Sequence, residues 1–316
     1  MPGGGTLSNS KLLYYLGCAG RELTPRWWCR RRLAGILDSV GEGEGAELKR
    51  RVDYYNRMER PADPGFLDSV RSFREHEKTV YYFDSMEYLR FFDPGLRISY
   101  MFGDVKRVPE HPGFVKTRPL GVDNRNSVLL KLNKVRHFNL IRDPYSYESK
   151  EDRLVWRGAG HKRHRREFLD RFHDHPRCDV GKTDHRFEHP GQKRLMSIRK
   201  QLRYKFIFSI EGNDVGSNLK WIMSSNSVCF MRRPRFESWF MEGALVPDRH
   251  YVLIRDDYSD LIEKIGYYSE HPEEAKEIAA NARAHVEQFR DRRREDLISL
   301  MVIRKYFQLT GQTDQL

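Results

Sequence analysis

The most regular alternation of apolar and polar segments lies in the second half of the chain. An apolar run at 206–210 ends at Gly212, and a polar loop leads to the apolar segments 219–223 and 228–231. Short apolar runs bounded by glycine predict buried strands, so this order predicts strand, tight turn, helix and strand. Backbone N–H groups at the start of such a helix favour an anion, which indicates a phosphate or diphosphate site.

The flanking sequence continues this alternation. Gly158 and Gly160 separate a predicted strand from a predicted helix. Strands alternating with helices predict a parallel sheet. The pattern predicts strands at 153–156 and 250–254, and helices at 164–172, near 195–202, at 258–268, from Pro272 and at 294–308.

The first half of the chain is less regular. A polar, turn-rich stretch at 142–152 indicates a domain boundary. We therefore expect two α/β domains, residues 1–145 and residues 146–316. Hydrophobic patterning in the first of them predicts an amphipathic helix at 46–59 and strands at 79–83, 97–102 and 114–117.

The composition is that of a folded protein. With 316 residues, 39% hydrophobic and 12% aromatic, the chain is long and apolar enough for two domains. No apolar run approaches the roughly 20 residues of a membrane-spanning helix, and the N-terminal stretch is a poor secretory signal. The four cysteines form no Cys-x-x-Cys pair, which predicts free thiols. These features predict a cytoplasmic protein.

Basic residues outnumber acidic ones by 57 to 45, which gives a formal net charge of +12. The excess suits nucleic-acid phosphates or the anionic headgroups of a membrane surface. No ribonucleoprotein aromatic signature, zinc finger or helix-turn-helix signal is present, so nucleic acid is not expected as a partner. One segment is either a membrane-contacting patch or an ordinary helix with core tryptophans. It comprises Arg26, Trp27, Trp28, Arg30, Arg31 and Arg32.

Three blocks in the second half carry a family resemblance. They read VWRGAGHKRHR at 155–165, EGNDVGSNLKW at 211–221 and HYVLIRDDYSDL at 250–261. In this order and spacing they resemble glycosyltransferase family 90, whose members include lipopolysaccharide-modifying enzymes and the eukaryotic protein O-glucosyltransferases. The similarity is closest to the bacterial members. It implies the GT-B architecture, with two Rossmann-like domains facing a cleft, the first on the acceptor side and the second binding a nucleotide sugar.

Transfer from a nucleotide sugar requires stabilisation of the charge that grows on the departing diphosphate. One solution is a metal ion held by paired carboxylates, but the sequence contains no Asp-x-Asp triplet. The other solution uses arginine and backbone amides, and the three blocks contain both. A group of histidines between 161 and 189 matches no familiar zinc spacing. We therefore expect no metal and no cofactor, only a UDP-sugar as donor substrate.

The first block supplies donor-binding candidates through the resemblance. Arg165 matches the arginine that bonds the phosphates, and Arg166 is the alternative. Arg157 and Gly158 match the turn before it. An arginine–phosphate hydrogen bond is charge-assisted and is worth roughly 1.5–3 kcal/mol.

The second block supplies the remaining donor-binding candidates. Eukaryotic members have an arginine where this chain has Asn218, and that arginine helps to neutralise the diphosphate. Lys220, Arg165 or another cation must therefore compensate, or phosphate binding is weaker. The amide cradle implied by the resemblance comprises Gly212, Asn213, Asp214, Val215, Gly216 and Ser217.

The acceptor hydroxyl needs a base that takes its proton as it attacks. Asp104 directly follows the predicted strand 97–102, at the kind of strand end where α/β sites gather. In the family that this chain resembles, a catalytic aspartate lies five residues before a Val-Pro proline, and Asp104 and Pro109 keep that spacing. An aspartate after glycine is also a common turn former or helix cap. Asp84 and Asp123 are weaker alternatives.

Taken with the resemblance, the sequence predicts a metal-independent, inverting glycosyltransferase. It would move a hexose, glucose first, with galactose and xylose open, from a UDP-sugar to a hydroxyl of a cell-envelope glycan or glycolipid such as lipopolysaccharide core. The expected location is the cytoplasm, with a peripheral position at the inner face of the plasma membrane. The alternative is a basic nucleic-acid or envelope-binding scaffold on a degenerate transferase fold, which the neutral Asn218 keeps open.

Overall fold

The chain folds into a mixed α/β structure, known from a computed structural model that describes residues 11–39, 41, 43–63, 65, 68–73 and 79–312. The helices are α1 Lys11–Glu22, α2 Arg26–Leu37, α3 Gly45–Tyr55, α4 Thr79–Leu89, α5 Lys134–His137, α6 Arg163–Phe172, α7 Ile198–Gln201, α8 Leu219–Met223, α9 Leu261–Glu270, α10 Pro272–Glu287 and α11 Arg292–Leu309. The strands are β1 Asp68–Ser69, β2 Arg97–Ile98, β3 Tyr100–Met101, β4 Gly113–Val115, β5 Thr117–Pro119, β6 Ser127–Leu129, β7 Glu151–Gly158, β8 Cys178–Lys182, β9 Tyr204–Ser209, β10 Val228–Met231, β11 Phe236–Ser238 and β12 Val252–Leu253.

The elements group into two compact units, each built from more than one segment. The sheet unit consists of Leu140–Pro234 and Ala244–Gln288. The helix-rich unit consists of the described residues up to Asn139 together with Arg235–Gly243 and the described residues from Phe289 onward. The chain therefore leaves the helix-rich unit and returns to it twice, whereas the sequence predicts a single crossing after residue 145.

The sheet unit is organised around five parallel strands in the order β12-β10-β9-β7-β8. The predicted strand, turn, helix and strand are confirmed as β9, α8 and β10. The side chains of β10 are all buried, as parallel strands covered on both faces require. The helix predicted at 164–172 is confirmed as α6, whose Phe168, Leu169 and Phe172 pack into the core.

The helix-rich unit contains only short strands. β3, β4 and β6 form a small parallel sheet, and two antiparallel pairs join β1 to β2 and β5 to β11. The predicted amphipathic helix is confirmed as α3, which buries Leu48, Val52 and Tyr55. The single strand predicted at 97–102 is instead β2 and β3, separated at Ser99, whose N–H donates to the Tyr306 hydroxyl at 3.0 Å rather than to a neighbouring strand.

The strand predicted at 79–83 is wrong, because these residues form the start of α4. The buried positions Tyr81, Ser85, Tyr88 and Leu89 recur at helical spacing. The aromatic and β-branched residues at 79–83 favour a strand locally. The helical spacing of buried residues continues beyond residue 83, and this longer pattern favours the helix.

A buried cluster of charges connects the last helix to the rest of the helix-rich unit. Glu295 on α11 lies 2.7 Å from Arg51 Nη1 and 2.8 Å from Lys131 Nζ, and it accepts a 2.7 Å hydrogen bond from the Trp239 indole. Burial alone would raise the pKa of Glu295, but the charges of Lys131 and Arg51 hold that pKa below its ordinary value. We call these four residues the Glu295 cluster.

All four cysteines are buried and free, as predicted. Within the described ranges, no helix combines the length and the apolar character that crossing a bilayer requires.

Candidate functional site

The order of the strands in the sheet unit marks one position at its carboxyl edge. β7 has β8 on one side and β9 on the other, so the chain leaves β7 in one direction for β8 and returns to its opposite side for β9. In open parallel sheets, ligands bind outside the carboxyl ends of the strands at such a reversal. The loops that follow β7 and β9 therefore form the candidate site.

Arg165 connects these two loops. Its Nη1 donates to Ala159 O at 3.1 Å, beyond the end of β7. Its Nη2 donates to Ile210 O at 2.7 Å and its Nε to Glu211 O at 3.0 Å, both beyond the end of β9. The guanidinium is half-buried and places a permanent positive charge at the strand reversal.

The turn after β9 lies directly against this guanidinium. A Cβ atom added at Gly212 would be 3.4 Å from Arg165 Nη2, an ordinary van der Waals contact, so the turn touches the guanidinium without requiring glycine there. The Gly212 N–H donates to Asp214 O at 3.0 Å and closes a tight turn. Within the described part of the chain, the N–H groups of residues 215–217 have no hydrogen-bond acceptor. Backbone N–H groups in such a turn are suited to binding an anion.

The Asn218 side chain links the turn to the end of β9 by two hydrogen bonds. Its Nδ2 donates to Phe208 O at 3.1 Å, and its Oδ1 accepts from the Ser209 hydroxyl at 3.0 Å. A Cβ at Gly216 would lie 2.7 Å from that hydroxyl, so the residue there must be glycine unless the contact shifts. Asn218 therefore has a structural role that needs no positive charge.

Two of the cations predicted to bind the donor, Arg157 and Lys220, contact protein groups or are buried in the structure. Arg157 lies on β7, where its guanidinium forms an ion pair with Asp179 at 2.7 Å and donates to Asp179 O at 2.6 Å. Burial opposes ionisation of Asp179, but hydrogen bonds from Lys193, Arg157 and Tyr204 lower its pKa to about 2. Lys220 is fully buried on α8, which gives it no exposure to a phosphate in solution. Donor binding by Arg157 and by Lys220 remains a prediction.

Gly158 and Arg166 also have defined neighbours. A Cβ at Gly158 would lie 2.7 Å from the Trp156 ring, so this glycine permits close packing at the end of β7. Arg166 is exposed, with its guanidinium 4.3 Å from the centre of the Phe187 ring. Only Arg165 of the two adjacent arginines reaches the loops after β7 and β9.

Sequence reasoning missed two residues beside the site. His164 contacts Glu211 O through Nε2 at 2.9 Å and therefore supports the same loop as Arg165. Asp184 Oδ1 accepts from the Gly160 N–H at 2.8 Å and holds the loop after β7. His164 lies inside the first sequence block, where it could have been singled out. Asp184 is brought in by the pairing of β7 with β8, which no local pattern reveals.

The candidate base lies in the helix-rich unit, at the carboxyl end of β3. Gly103 adopts φ +101°, which glycine accepts without strain, and turns the chain so that Asp104 is exposed. Asp104 Oδ1 accepts a 2.8 Å hydrogen bond from Lys116 Nζ. Lys116 directly follows β4, the parallel neighbour of β3, and its side chain is buried. A carboxylate with a buried lysine partner thus lies at the edge where the sequence placed Asp104.

The two weaker alternatives for the base have other environments. Asp84 is buried on α4, where it accepts from the Tyr14 hydroxyl at 2.8 Å and the Lys134 N–H at 3.0 Å. Burial raises the pKa of Asp84. Asp123 is exposed and forms an ion pair with Arg125 at 2.6 Å. Asp84 has no access to solvent and Asp123 has a local surface partner, so Asp104 is the better placed carboxylate.

No group of three or more histidine, cysteine, aspartate or glutamate side chains in the described chain is arranged to hold a metal ion. Metal independence itself remains a prediction.

Comparisons with known proteins show the family to which the chain belongs. The family model for glycosyl transferase family 90 matches residues 132–309. The O-glucosyltransferase LpsA of Dichelobacter nodosus is 42% identical over 304 residues, which cover 95% of this chain and 96% of that protein. Protein O-glucosyltransferase 3 of Homo sapiens is 29% identical over 141 residues, 42% of this chain but only 27% of that protein. Protein O-glucosyltransferase 2 of Danio rerio is 35% identical over 77 residues, 15% of that protein.

Proposed function

This chain belongs to glycosyl transferase family 90 and is a glycosyltransferase, and from that premise we propose that it transfers glucose from a UDP-sugar, with inversion, to a hydroxyl of a cell-envelope glycan. Glucose follows from the names of the relatives, which are O-glucosyltransferases. Lipopolysaccharide core is the acceptor class we propose, together with a peripheral location at the inner face of the plasma membrane. We also propose the GT-B class of organisation.

The observation that carries the proposal is the position of Arg165 at the strand reversal of the sheet unit. Its guanidinium bonds both loops at the carboxyl edge, and the turn after β9 lies against it. A diphosphate leaving group there would meet a fixed positive charge and a row of backbone N–H groups. Charge that grows on the leaving group is stabilised most by donors that are already in place, because they need no reorganisation during the reaction.

Asp104 is the base in this proposal. A sugar hydroxyl is a weak nucleophile at neutral pH, and a carboxylate within hydrogen-bond reach can accept its proton as it attacks. The O–C bond to the anomeric carbon forms as the bond to the diphosphate breaks. Attack from the face opposite the leaving group inverts the anomeric centre.

A nucleotide-sugar screen tests the donor. UDP-glucose, UDP-galactose and UDP-xylose would be compared for thermal stabilisation and slow hydrolysis. ADP-glucose is the control for recognition of the uracil nucleobase. We expect UDP-glucose to stabilise the protein most. Failure of every UDP-sugar, together with DNA binding that weakens steeply with salt, would instead support the scaffold alternative.

Transfer should persist in excess chelator. The reason is that Arg165 and backbone amides, rather than a metal ion, would neutralise the diphosphate. Initial rates measured with and without EDTA should agree. Complete loss of activity that manganese or magnesium restores would contradict both this prediction and the proposed organisation.

Replacing Arg165 with alanine should lower kcat/KM by roughly 10²-fold, as for the loss of one oxyanion-type donor. Three carbonyl groups at the loops would also lose their donor. Melting temperature should therefore be measured beside the rate. Arg166→Ala is the matched control, because this exposed neighbour contacts neither loop and should leave the rate nearly unchanged. Normal turnover in the Arg165 variant with a deficient Arg166 variant would transfer the role to Arg166.

A further inference from the structure

Exposed apolar side chains are concentrated in one stretch of the described chain. Seven of the eleven large hydrophobic residues that are exposed there lie between Leu12 and Trp28. Leu12 is 68% exposed, Leu16 58% and Leu23 86%. Single exposed apolar residues need no explanation, but a contiguous group of them marks an interaction site.

The helices α1 and α2, which carry these residues except Leu23 in the turn between them, are held by their opposite faces. The Tyr14 hydroxyl donates to Asp84 at 2.8 Å, and Arg90 Nη2 forms an ion pair with Glu22 at 2.7 Å, which anchors α1. Cys18 on α1 and Cys29 on α2 are buried. The outward orientation of the leucines therefore follows from specific contacts on the inner side of the helices.

The tryptophans of α2 lie on the outside as well. Trp27 is 53% and Trp28 42% exposed, so the interpretation of this segment as a helix with core tryptophans is wrong. The guanidinium of Arg31 lies 5.1 Å from the Trp27 ring and that of Arg32 4.4 Å from the Trp28 ring. Each pair presents an aromatic ring and a positive charge side by side.

We propose that this surface docks onto an anionic lipid bilayer. It comprises Leu12, Leu16, Leu23, Trp27, Trp28, Arg31 and Arg32, and we call it the α1–α2 surface. Leucine and tryptophan enter the boundary between headgroups and acyl chains, while arginine binds anionic headgroups. Charge complementarity selects an anionic bilayer over a neutral one. The docking does not require that the protein transfer sugar, so it can be tested independently.

Co-sedimentation with vesicles tests whether binding depends on anionic lipid and on the arginines of the α1–α2 surface. The protein should pellet with phosphatidylcholine vesicles that contain phosphatidylglycerol and stay in solution with phosphatidylcholine alone. R31E/R32E should lower the partition coefficient by roughly tenfold or more, since each basic residue near the surface contributes about 1 kcal/mol. K200E/R203E is the matched control, because these exposed residues precede β9 in the sheet unit, and it should bind normally. An equal loss of vesicle binding in both double variants would show that binding depends only on the net charge of the protein, and it would overturn the proposal.

Tryptophan fluorescence tests whether the α1–α2 surface is the part of the protein that enters the bilayer. Of the five tryptophans, Trp27 and Trp28 are exposed whereas Trp156, Trp221 and Trp239 are buried. Anionic vesicles should shift the emission to shorter wavelength, and brominated lipids should quench it. L12S/L16S should reduce both effects without lowering the melting temperature. Unaltered emission, or apolar variants that change only self-association, would overturn the proposed docking onto lipid.

Discussion

Asp104→Asn is expected to reduce sugar transfer by roughly 10²–10⁴-fold, the range that a general base contributes. Asparagine keeps the size and most of the hydrogen bonding of aspartate but cannot accept the proton. Affinity for uridine diphosphate should stay close to that of the parent, because the candidate donor site is formed by residues of the sheet unit. Transfer assays and calorimetric titration with uridine diphosphate measure the two quantities.

The ion pair between Asp104 and Lys116 supplies the control for this experiment. If the carboxylate served only as a counter-ion of the buried lysine, D104N would impair the protein by removing that counter-charge. The double variant D104N/K116M removes both charges and should then recover transfer. A base at Asp104 predicts that the double variant stays inactive although it folds. Recovery of transfer would show that Asp104 is not the base.

Glu295→Gln is expected to lower the free energy of unfolding by about 3–5 kcal/mol, the usual cost of breaking a buried ion pair from one side. Glutamine fills the same volume but removes the negative charge that pairs with Arg51 and Lys131. Urea denaturation at neutral pH measures the difference. Asp123→Asn is the control, since its ion pair with Arg125 is exposed and should contribute little.

The pH dependence of the free energy of unfolding of Glu295→Gln tests whether the lost stability comes from the charge of Glu295. The pKa of Glu295 is lower in the folded protein than its ordinary value of 4.5. Its stabilising contribution is therefore complete above that value and is lost as the pH falls through the folded pKa. The difference between parent and variant should narrow in acid. A difference that is constant with pH would point to altered packing rather than charge.

The sequence predicted those parts of the fold whose signals are local. The unit of β9, α8 and β10 follows from apolar runs separated by a glycine turn, and α6 follows from the helical spacing of its core residues. Arg165 could be selected because its block matches a family signature. Its position at the strand reversal could not be predicted, because strand order is set by long-range pairing.

The contacts that local patterns miss are those between distant segments. Lys116 joins Asp104 because β3 and β4 are parallel neighbours, and nothing in either segment alone indicates this. Arg157 is predicted in the donor site because its block matches the family. The partner on β8, Asp179, becomes visible only when the sheet is assembled.

The division of the helix-rich unit along the chain has a consequence for its folding during synthesis. Domains generally fold as units, starting from the N-terminus as it leaves the ribosome. Arg51 and Lys131 are made early, but the carboxylate that neutralises them in the core belongs to α11, and the whole sheet unit is translated in between. The unit that begins first must therefore be completed last. Until α11 emerges, the nascent chain has to keep these two cations in water and leave this core open, while the sheet unit can already close around its own strands.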